Sequence, residues 1–382
     1  MKNIGILAFS NAGGGGVFQY AQSLIDALIN DKENKYVIFC RHSDVRFNDC
    51  GLEVRKFDKQ NSSFSKKLFI LFALTLNIQF PINIFMTKEE KEIYSDIDLF
   101  ISPAISPYPH YFLNKSFIFT LHDMQEKYYP YFFTLKDRII RAIFKKSISK
   151  KANKIICESN YVKNDIIKFL QVDESKIFVI SAPPPKDFIN YKFDEKNFDK
   201  IKKKYNLPDK YIFYPAQFWF HKNHIRLIEA FNFISKDHGN VHLVLTGSEQ
   251  NNYKSVINKI KELNLNSKIR HLGFVDYQDL PYLYKMSLML VMPSLFESVS
   301  IPIYEAFALK VPVCCSNITA IPEQVGDAGL IFNPFDINDI AEKILLYLNN
   351  ENLRKEKAKK GFNRVINFNH SEYFKNLKKL LF

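Results

Sequence analysis

Short apolar runs alternate along the chain with stretches whose apolar positions recur every third or fourth residue. The first pattern reads as buried strands and the second as amphipathic helices. In the first half, Ile4–Phe9, Tyr36–Cys40, Leu99–Ile101, Phe117–Leu121, Lys154–Cys157 and Ile177–Ile180 predict strands, while Gly16–Ile29, Leu135–Ala152 and Tyr161–Leu170 predict helices. Such alternation implies a parallel sheet covered by helices. After Ser181, the run Ala182-Pro183-Pro184-Pro185 interrupts the pattern, because proline lacks the N–H that a helix or a central strand needs, and a polar, lysine-rich stretch leads to Leu207-Pro208. The alternation then restarts with strands at Tyr211–Tyr214, Val241–Thr246, Ile269–Leu272, Leu288–Met292 and Val311–Cys315, separated by helices such as His224–Ile234 and Leu280–Lys285. Beyond Asn333-Pro334 the pattern is helical, with Asp336–Leu348 and segments near Leu353–Phe362 and Ser371–Leu381. The expected organisation is two α/β domains, 1–185 and 186–362, with a C-terminal helix in 363–382 packing back towards the first.

Length and composition agree with this division. At 382 residues the chain exceeds what one hydrophobic core supports, and 47% hydrophobic content excludes a disordered chain. The five cysteines include no C-x-x-C pair, so neither a zinc site nor a disulfide framework is expected, and a reducing cytosol fits. Ile4–Phe9 is too short for the apolar region of a signal peptide. Leu68–Phe85 is the longest nearly uncharged apolar stretch, but Thr75, Asn77, Gln79, Pro81 and Asn83 argue against a membrane-spanning helix. The net charge of +13 points to acidic partners, namely nucleic acid, anionic lipid or phosphate-bearing substrates, without choosing among them.

Three motifs sit at strand–helix junctions. Gly13-Gly14-Gly15-Gly16 follows the first strand; residues without Cβ let a backbone approach a ligand, and the next helix offers free N–H groups to a phosphate. The spacing is not the G-x-G-x-x-G fingerprint, and a flexible turn is the alternative. In the second half, Tyr214-Pro215-Ala216-Gln217-Phe218-Trp219-Phe220-His221-Lys222-Asn223-His224 places one lysine at a strand end, able to neutralise a phosphate or to be an ordinary surface lysine. The third block is Phe296-Glu297-Ser298-Val299-Ser300-Ile301-Pro302-Ile303-Tyr304-Glu305-Ala306, where Pro302 suits a first helical turn and the preceding loop can turn its N–H groups to an anionic diphosphate. Glu305 is expected in that first turn, to accept from vicinal hydroxyls or to cap the helix.

The ordered set resembles glycosyltransferase family 4, the retaining GT-B enzymes of the glycosyl transferases group 1. The resemblance rests on the Gly-rich loop, Leu121-His122-Asp123, Glu158-Ser159-Asn160, Leu227-Ile228-Glu229-Ala230-Phe231, Leu245-Thr246-Gly247, Leu272-Gly273-Phe274-Val275, the E-x7-E block and Pro322-Glu323-Gln324-Val325-Gly326-Asp327-Ala328-Gly329. It implies two facing Rossmann-like domains with parallel sheets and a cleft between them, the donor held by the second domain and the acceptor by the first. Lys222 would bind the donor diphosphate, Glu305 the ribose, Glu297 the donor sugar, and Val275 the base through its backbone. Gly15 and Gly16 would approach the diphosphate, and Ser298, Val299, Ser300 and Ile301 would line it. His122 would contact the transferred sugar, the alternative being a satisfied strand-end histidine, and Asp123 would orient its imidazole or accept from a substrate hydroxyl. The family's usual arginine is Gln217 here, which leaves one phosphate charge unmatched. Its usual glycines are Ser298 and Ser300, which bears on how closely the backbone can approach.

The resemblance further implies a nucleotide-diphosphate sugar as co-substrate and, with no Asp-x-Asp triplet at a strand end, no metal. A GDP-linked hexose such as mannose is the preferred donor, and a glycan or lipid-linked glycan of a bacterial surface polysaccharide, such as lipopolysaccharide or O-antigen, the preferred acceptor. A GT-B nucleotide-sugar epimerase is the enzymatic alternative. A non-catalytic nucleic-acid-binding protein explains the charge but not the E-x7-E block, so no nucleic-acid partner is expected. Both Lys222→Ala and Glu305→Ala are expected to leave the fold intact, their side chains facing an open cleft. Eight Lys or Arg against Asp137 in Leu135–Lys154, with Ile139, Ile140, Ile143, Phe144 and Ile148 on one helical face, describe either a solvated helix or one that meets an anionic membrane. The second option gives a cytoplasmic enzyme peripheral to the inner membrane.

Overall fold

The computed structural model describes residues 1–9, 15–29, 31–41, 47, 50–56, 64–76, 86–189 and 191–381. The chain divides into two compact units, one comprising Met1–Ala182 with His370–Phe382 and the other Pro183–Asn369.

The first unit carries seven strands, β1 (Asn3–Leu7), β2 (Lys35–Cys40), β3 (Glu53–Lys56), β4 (Leu99–Ser102), β5 (Ser116–Thr120), β6 (Lys154–Cys157) and β7 (Ile177–Val179). They form one sheet in the order β3-β2-β1-β4-β5-β6-β7, with every pair parallel. Parallel strands are buried on both faces, which is why β1, β2, β4 and β6 read as continuous apolar runs. Two clusters cover the two faces. One contains Phe39, Phe100, Phe119 and Ile155; the other contains Ile4, Ile38, Tyr20 and Leu24 with Tyr373, Leu377 and Leu380 of the C-terminal helix His370–Leu381. Lys2 and Lys154 donate from Nζ to the carbonyls of Leu381 and Leu380 at 2.8 and 2.9 Å, placing two cations at the negative end of that helix. Strand β3 is absent from the sequence reading because its Glu53-Val54-Arg55-Lys56 is an edge strand without an apolar run; Arg55 there is paired with Asp96 and Glu53.

The second unit carries β8 (Tyr211–Pro215), β9 (His242–Thr246), β10 (Ile269–His271), β11 (Met289–Met292), β12 (Val313–Ser316) and β13 (Gly329–Phe332) in the order β10-β9-β8-β11-β12-β13, again all parallel. Strand β13 differs from the sequence expectation as well: it is an edge strand paired with β12, with Leu330 and Ile331 only partly buried. One continuous core runs through this unit, from Phe213, Val244 and Leu290 in the sheet to Leu227, Phe231, Phe307 and Ile344 in the helices. All five cysteines are free thiols.

Both sheets reverse their winding between two strands that are neighbours in space but not in sequence, β1 and β4 in one unit, β8 and β11 in the other. The crevice outside the carboxyl ends of such a pair is where open α/β sheets bind ligands.

Candidate functional site

In the second unit two loops leave this switch point. Pro215 ends β8, the single turn Phe220–Lys222 follows, and Asn223 takes a left-handed conformation (φ 57°) before helix His224–Asp237. Past β11 the chain runs through Pro293–Ser300 into helix Ile301–Ala308, with Pro302 in its first turn. Hydrogen bonds fix the loops and join them. Leu295 N–H donates to His221 O at 2.7 Å, the Tyr214 hydroxyl donates to Lys222 O at 2.7 Å, and Asn223 Nδ2 donates to both Pro293 O and Pro334 O at 2.9 Å. Lys222 Nζ is thereby brought to 2.5 Å from Glu297 Oε1, with side chains 19% and 10% exposed. The two sequence motifs thus form one partly dry ion pair.

Ser300 is the N-cap of helix Ile301–Ala308 in an extended conformation (φ −105°), so the position where the family has glycine needs no left-handed backbone here. No side chain caps the helix, and the buried Ser300 Oγ has no hydrogen-bond partner. The positive end of the helix is therefore available to an anion, beside the Lys222 ammonium. Ser298, Val299 and Ile301 are partly exposed around it.

Glu305 corrects the sequence reading. It is the fifth residue of the helix, beyond the first turn, and only 2% exposed. Its Oε2 accepts from the Tyr284 hydroxyl at 2.6 Å, and burial, with the Glu305 charge beside it, pushes that phenol well above its usual pKa. The carboxylate neither caps the helix nor faces open solvent. The helix begins at Ile301, one residue before Pro302, which carries Glu305 past the first turn.

Gln217 Oε1 accepts from Trp219 Nε1 at 2.9 Å, which orients the side chain standing in for arginine. Behind it, Gly247 (φ +127°) lets two loops approach, since a Cβ there would sit 2.5 Å from Ala216 O. Val275 is buried, next to Phe274, which is 79% exposed. Among the described residues, no three His, Cys, Asp or Glu side chains gather as a metal site requires.

In the first unit, Gly13 and Gly14 lie outside the described residues. Gly15 is the N-cap of helix Gly16–Leu28 at φ 60°, a conformation that favours glycine, and no side chain caps this helix either. His122 follows β5. Its Nδ1 lies 2.9 Å from Glu158 Oε2 and its Nε2 2.8 Å from Pro103 O, with the Tyr20 ring edge-on at 4.8 Å. Both ring nitrogens therefore face acceptors, the arrangement of an imidazolium donating twice. Burial opposes that charge, but the Glu158 bond and charge outweigh it and raise the pKa. Glu158, not Asp123, orients the imidazole.

Asp123 instead accepts from Gln125 N–H at 3.2 Å and stands 3.6 Å from Lys145 Nζ. Lys145 is itself buried, donating to Glu126 Oε2 and Oε1 at 2.8 and 3.0 Å and to Asp123 O at 2.7 Å. This lysine belongs to the interior rather than to the charged face of its helix. Ile139, expected among the inward apolar residues, is 51% exposed.

Two Rossmann-type units, each with an all-parallel sheet and a switch point at its carboxyl edge, make up the GT-B architecture. The chain is similar in fold to HepE of Anabaena, solved in complex with UDP and glucose, with a TM-score of 0.79 at 16% identity, covering 100% of this chain and 99% of that one. Residues 14–183 match the family described as Glycosyltransferase Family 4, and residues 195–364 match Glycosyl transferases group 1. The chain belongs to this glycosyltransferase family. Among curated relatives it is 43% identical over 100 residues to the O-antigen chain mannosyltransferase B of Escherichia coli, covering 26% of each protein. It is 29% identical over 218 residues to the O-antigen chain mannosyltransferase RfbU of Salmonella typhimurium, covering 57% of this chain and 56% of the relative. The chain thus spans about a quarter to a half of the length of these relatives.

Proposed function

We propose that this protein transfers a hexose, with mannose from GDP-mannose as the first candidate, to a glycan or lipid-linked glycan in the assembly of a bacterial surface polysaccharide, with retention at the transferred carbon. The observation that carries the reading is the uncapped N-terminus of helix Ile301–Ala308 beside Lys222 at the β8–β11 switch point. A nucleotide-sugar diphosphate brings two negative phosphates that such a place can hold. Lys222 would move from Glu297 to the diphosphate and stabilise the charge that grows as the sugar leaves, freeing Glu297 for the sugar's hydroxyls. Glu305, oriented by Tyr284, would bind the ribose. The departing phosphate would take the acceptor's proton, so no side-chain base or metal is needed. The mannose preference is supported by the named activities of the two O-antigen relatives.

The test is release of nucleoside diphosphate from a panel including GDP-mannose and UDP-glucose, with and without EDTA. GDP-mannose turnover, unaffected by EDTA and abolished in Lys222→Ala, is expected. Turnover of no sugar nucleotide refutes the reading, and activity lost in EDTA but restored by Mg²⁺ refutes metal independence.

The acceptor side is proposed to meet an anionic membrane. Among the described residues no helix is long and apolar enough to cross a bilayer. Helix Phe64–Leu76 exposes Leu68, Phe72 and Leu76, four residues apart on one stripe, and it packs against helix Leu135–Lys151, which exposes Leu135 and Ile139. Lys136, Arg138, Lys146 and Lys150 are exposed on the same helix. Apolar side chains beside basic ones suit an interface of acyl chains and anionic headgroups, each cation contributing on the order of 1 kcal/mol. Co-sedimentation with anionic vesicles is expected to fall when these four become glutamine; equal binding to neutral vesicles refutes the proposal.

A further inference from the structure

The loop Glu297–Ser300 carries the carboxylate that pairs with Lys222 and ends at the N-cap of the anion-facing helix. It has little structure of its own: Glu297 and Ser300 stand outside both the sheet and the helix. Each end is nevertheless held by both its N–H and its C=O to one side chain from the segment after β12, beside weaker backbone bonds from Ala320 N–H to Glu297 O at 3.4 Å and from Ile303 N–H to Ser300 O at 3.2 Å. At the first end, the Thr319 hydroxyl accepts from Glu297 N–H at 3.2 Å and donates to Glu297 O at 2.6 Å. At the other, Gln324 Oε1 accepts from buried Ser300 N–H at 2.9 Å while Nε2 donates to Ser300 O at 2.7 Å. The amide orientation follows from the partners, because the flipped amide would set donor against donor and acceptor against acceptor.

Two further observations single out this arrangement. Thr319 sits at φ 50°, in the left-handed region that β-branched residues avoid, a strained conformation that persists only because surrounding contacts maintain it. Gln324 is buried, and its own carbonyl accepts from Arg364 Nε at 3.2 Å, fixing the residue from behind.

We infer that Thr319 and Gln324 are positioning residues that clamp the two ends of the Glu297–Ser300 loop, setting the distance between the Glu297 carboxylate and the helix N-terminus before the donor arrives. This deepens the donor site proposed above and rests on that reading. Each acts through the backbone it holds. A preformed loop spends no binding energy on ordering itself, and a displacement of about 1 Å in such a site costs roughly 100-fold in rate.

The experiment compares wild type with Thr319→Val, which keeps shape and loses the hydroxyl, Thr319→Ser, which keeps the hydroxyl, and Gln324→Glu, which accepts from Ser300 N–H but cannot donate to Ser300 O. Donor kcat and KM are measured per folded molecule, alongside hydrogen exchange of the Glu297 and Ser300 amides. The expected result is a 10–100-fold loss of kcat/KM in Thr319→Val and Gln324→Glu, with faster exchange at the corresponding amide, and recovery of both in Thr319→Ser, on the scale of the misplacement effect above. Faster exchange with unchanged kcat and KM overturns the proposal, because the clamp would then order the loop without serving the donor. Unchanged exchange in both variants also overturns it, showing no clamp. A wild type that turns over no sugar nucleotide refutes the donor-site reading instead, and is recognised by the absence of activity before any variant is compared.

Discussion

Replacing Glu305 by alanine tests whether the buried carboxylate is structural as well as functional. In the folded protein, Glu305 Oε2 and the Tyr284 hydroxyl are 2.6 Å apart and both residues are buried, so the bond is sheltered from bulk solvent. Removing the carboxylate leaves the phenol O–H without that acceptor, a loss of about 1–3 kcal/mol. For a domain of this size each kcal/mol lowers Tm by about 2–4 °C, so Glu305→Ala is expected to melt roughly 2–12 °C lower. Glu305→Gln retains an acceptor and nearly the same volume, and should stay within about 1 kcal/mol of wild type while losing transfer, since a neutral amide is a weaker partner for ribose hydroxyls. The double variant Glu305→Leu with Tyr284→Phe removes both polar groups and should recover much of the stability lost by the single alanine. Differential scanning calorimetry and donor turnover on the same preparations separate the two effects. An unchanged Tm in Glu305→Ala, with no coupling to Tyr284, refutes the reasoning.

Three further outcomes follow from the titratable and buried groups. Lys145→Gln leaves buried Glu126 with only the more distant Arg141, at 4.0 Å, and should cost about 3–5 kcal/mol in urea unfolding, against under about 0.5 for exposed Lys150→Gln; equal costs would place Lys145 on the surface. His122 has a raised folded-state pKa, so its contribution is complete below the unfolded value near 6.5 and is lost as pH rises through the folded one; Glu158→Gln should flatten that loss on the alkaline side of about pH 6.5, and an identical pH profile of Tm contradicts the pairing. His224 is the opposite case: burial first, then the Lys222 charge, hold it at about 3, so stability is complete above pH 6.5 and falls as acid protonates the unfolded chain. His224→Phe, stacked on Phe218 as the imidazole is at 4.4 Å, should make acid unfolding between pH 6.5 and 3 less steep, and an unchanged slope counts against it.

Much of the fold was legible because parallel strands buried on both faces leave apolar runs and their covering helices leave a three-to-four-residue period. Pro183–Pro185 likewise marked the passage between units, since proline can supply neither ladder. Among the elements without such a signal, β3 is an edge strand of charged residues, β13 is an edge strand whose Leu330 and Ile331 are only partly buried, and helix Phe64–Leu76 carries apolar residues on its solvent side as well. The Lys222 and Glu297 motifs could be named as candidates from their positions after strands, but nothing in the spacing shows that they pair.

The linear sequence determined the period of each element, the strand–turn–helix junctions and the residue types delivered to them, because those depend on neighbours a few positions apart. Tertiary structure alone decided the partners. Glu297 meets Lys222 across 75 positions and Thr319 across 22, His122 meets Glu158 across 36, and Lys145 turns inward to Glu126 across 19. Such bonds are set by which loops the sheet order gathers at one edge. The same geometry decides whether a charge is buried, and so whether Glu305 or Lys145 costs stability when removed. No local pattern records that, since burial belongs to the packed surroundings and not to the residue.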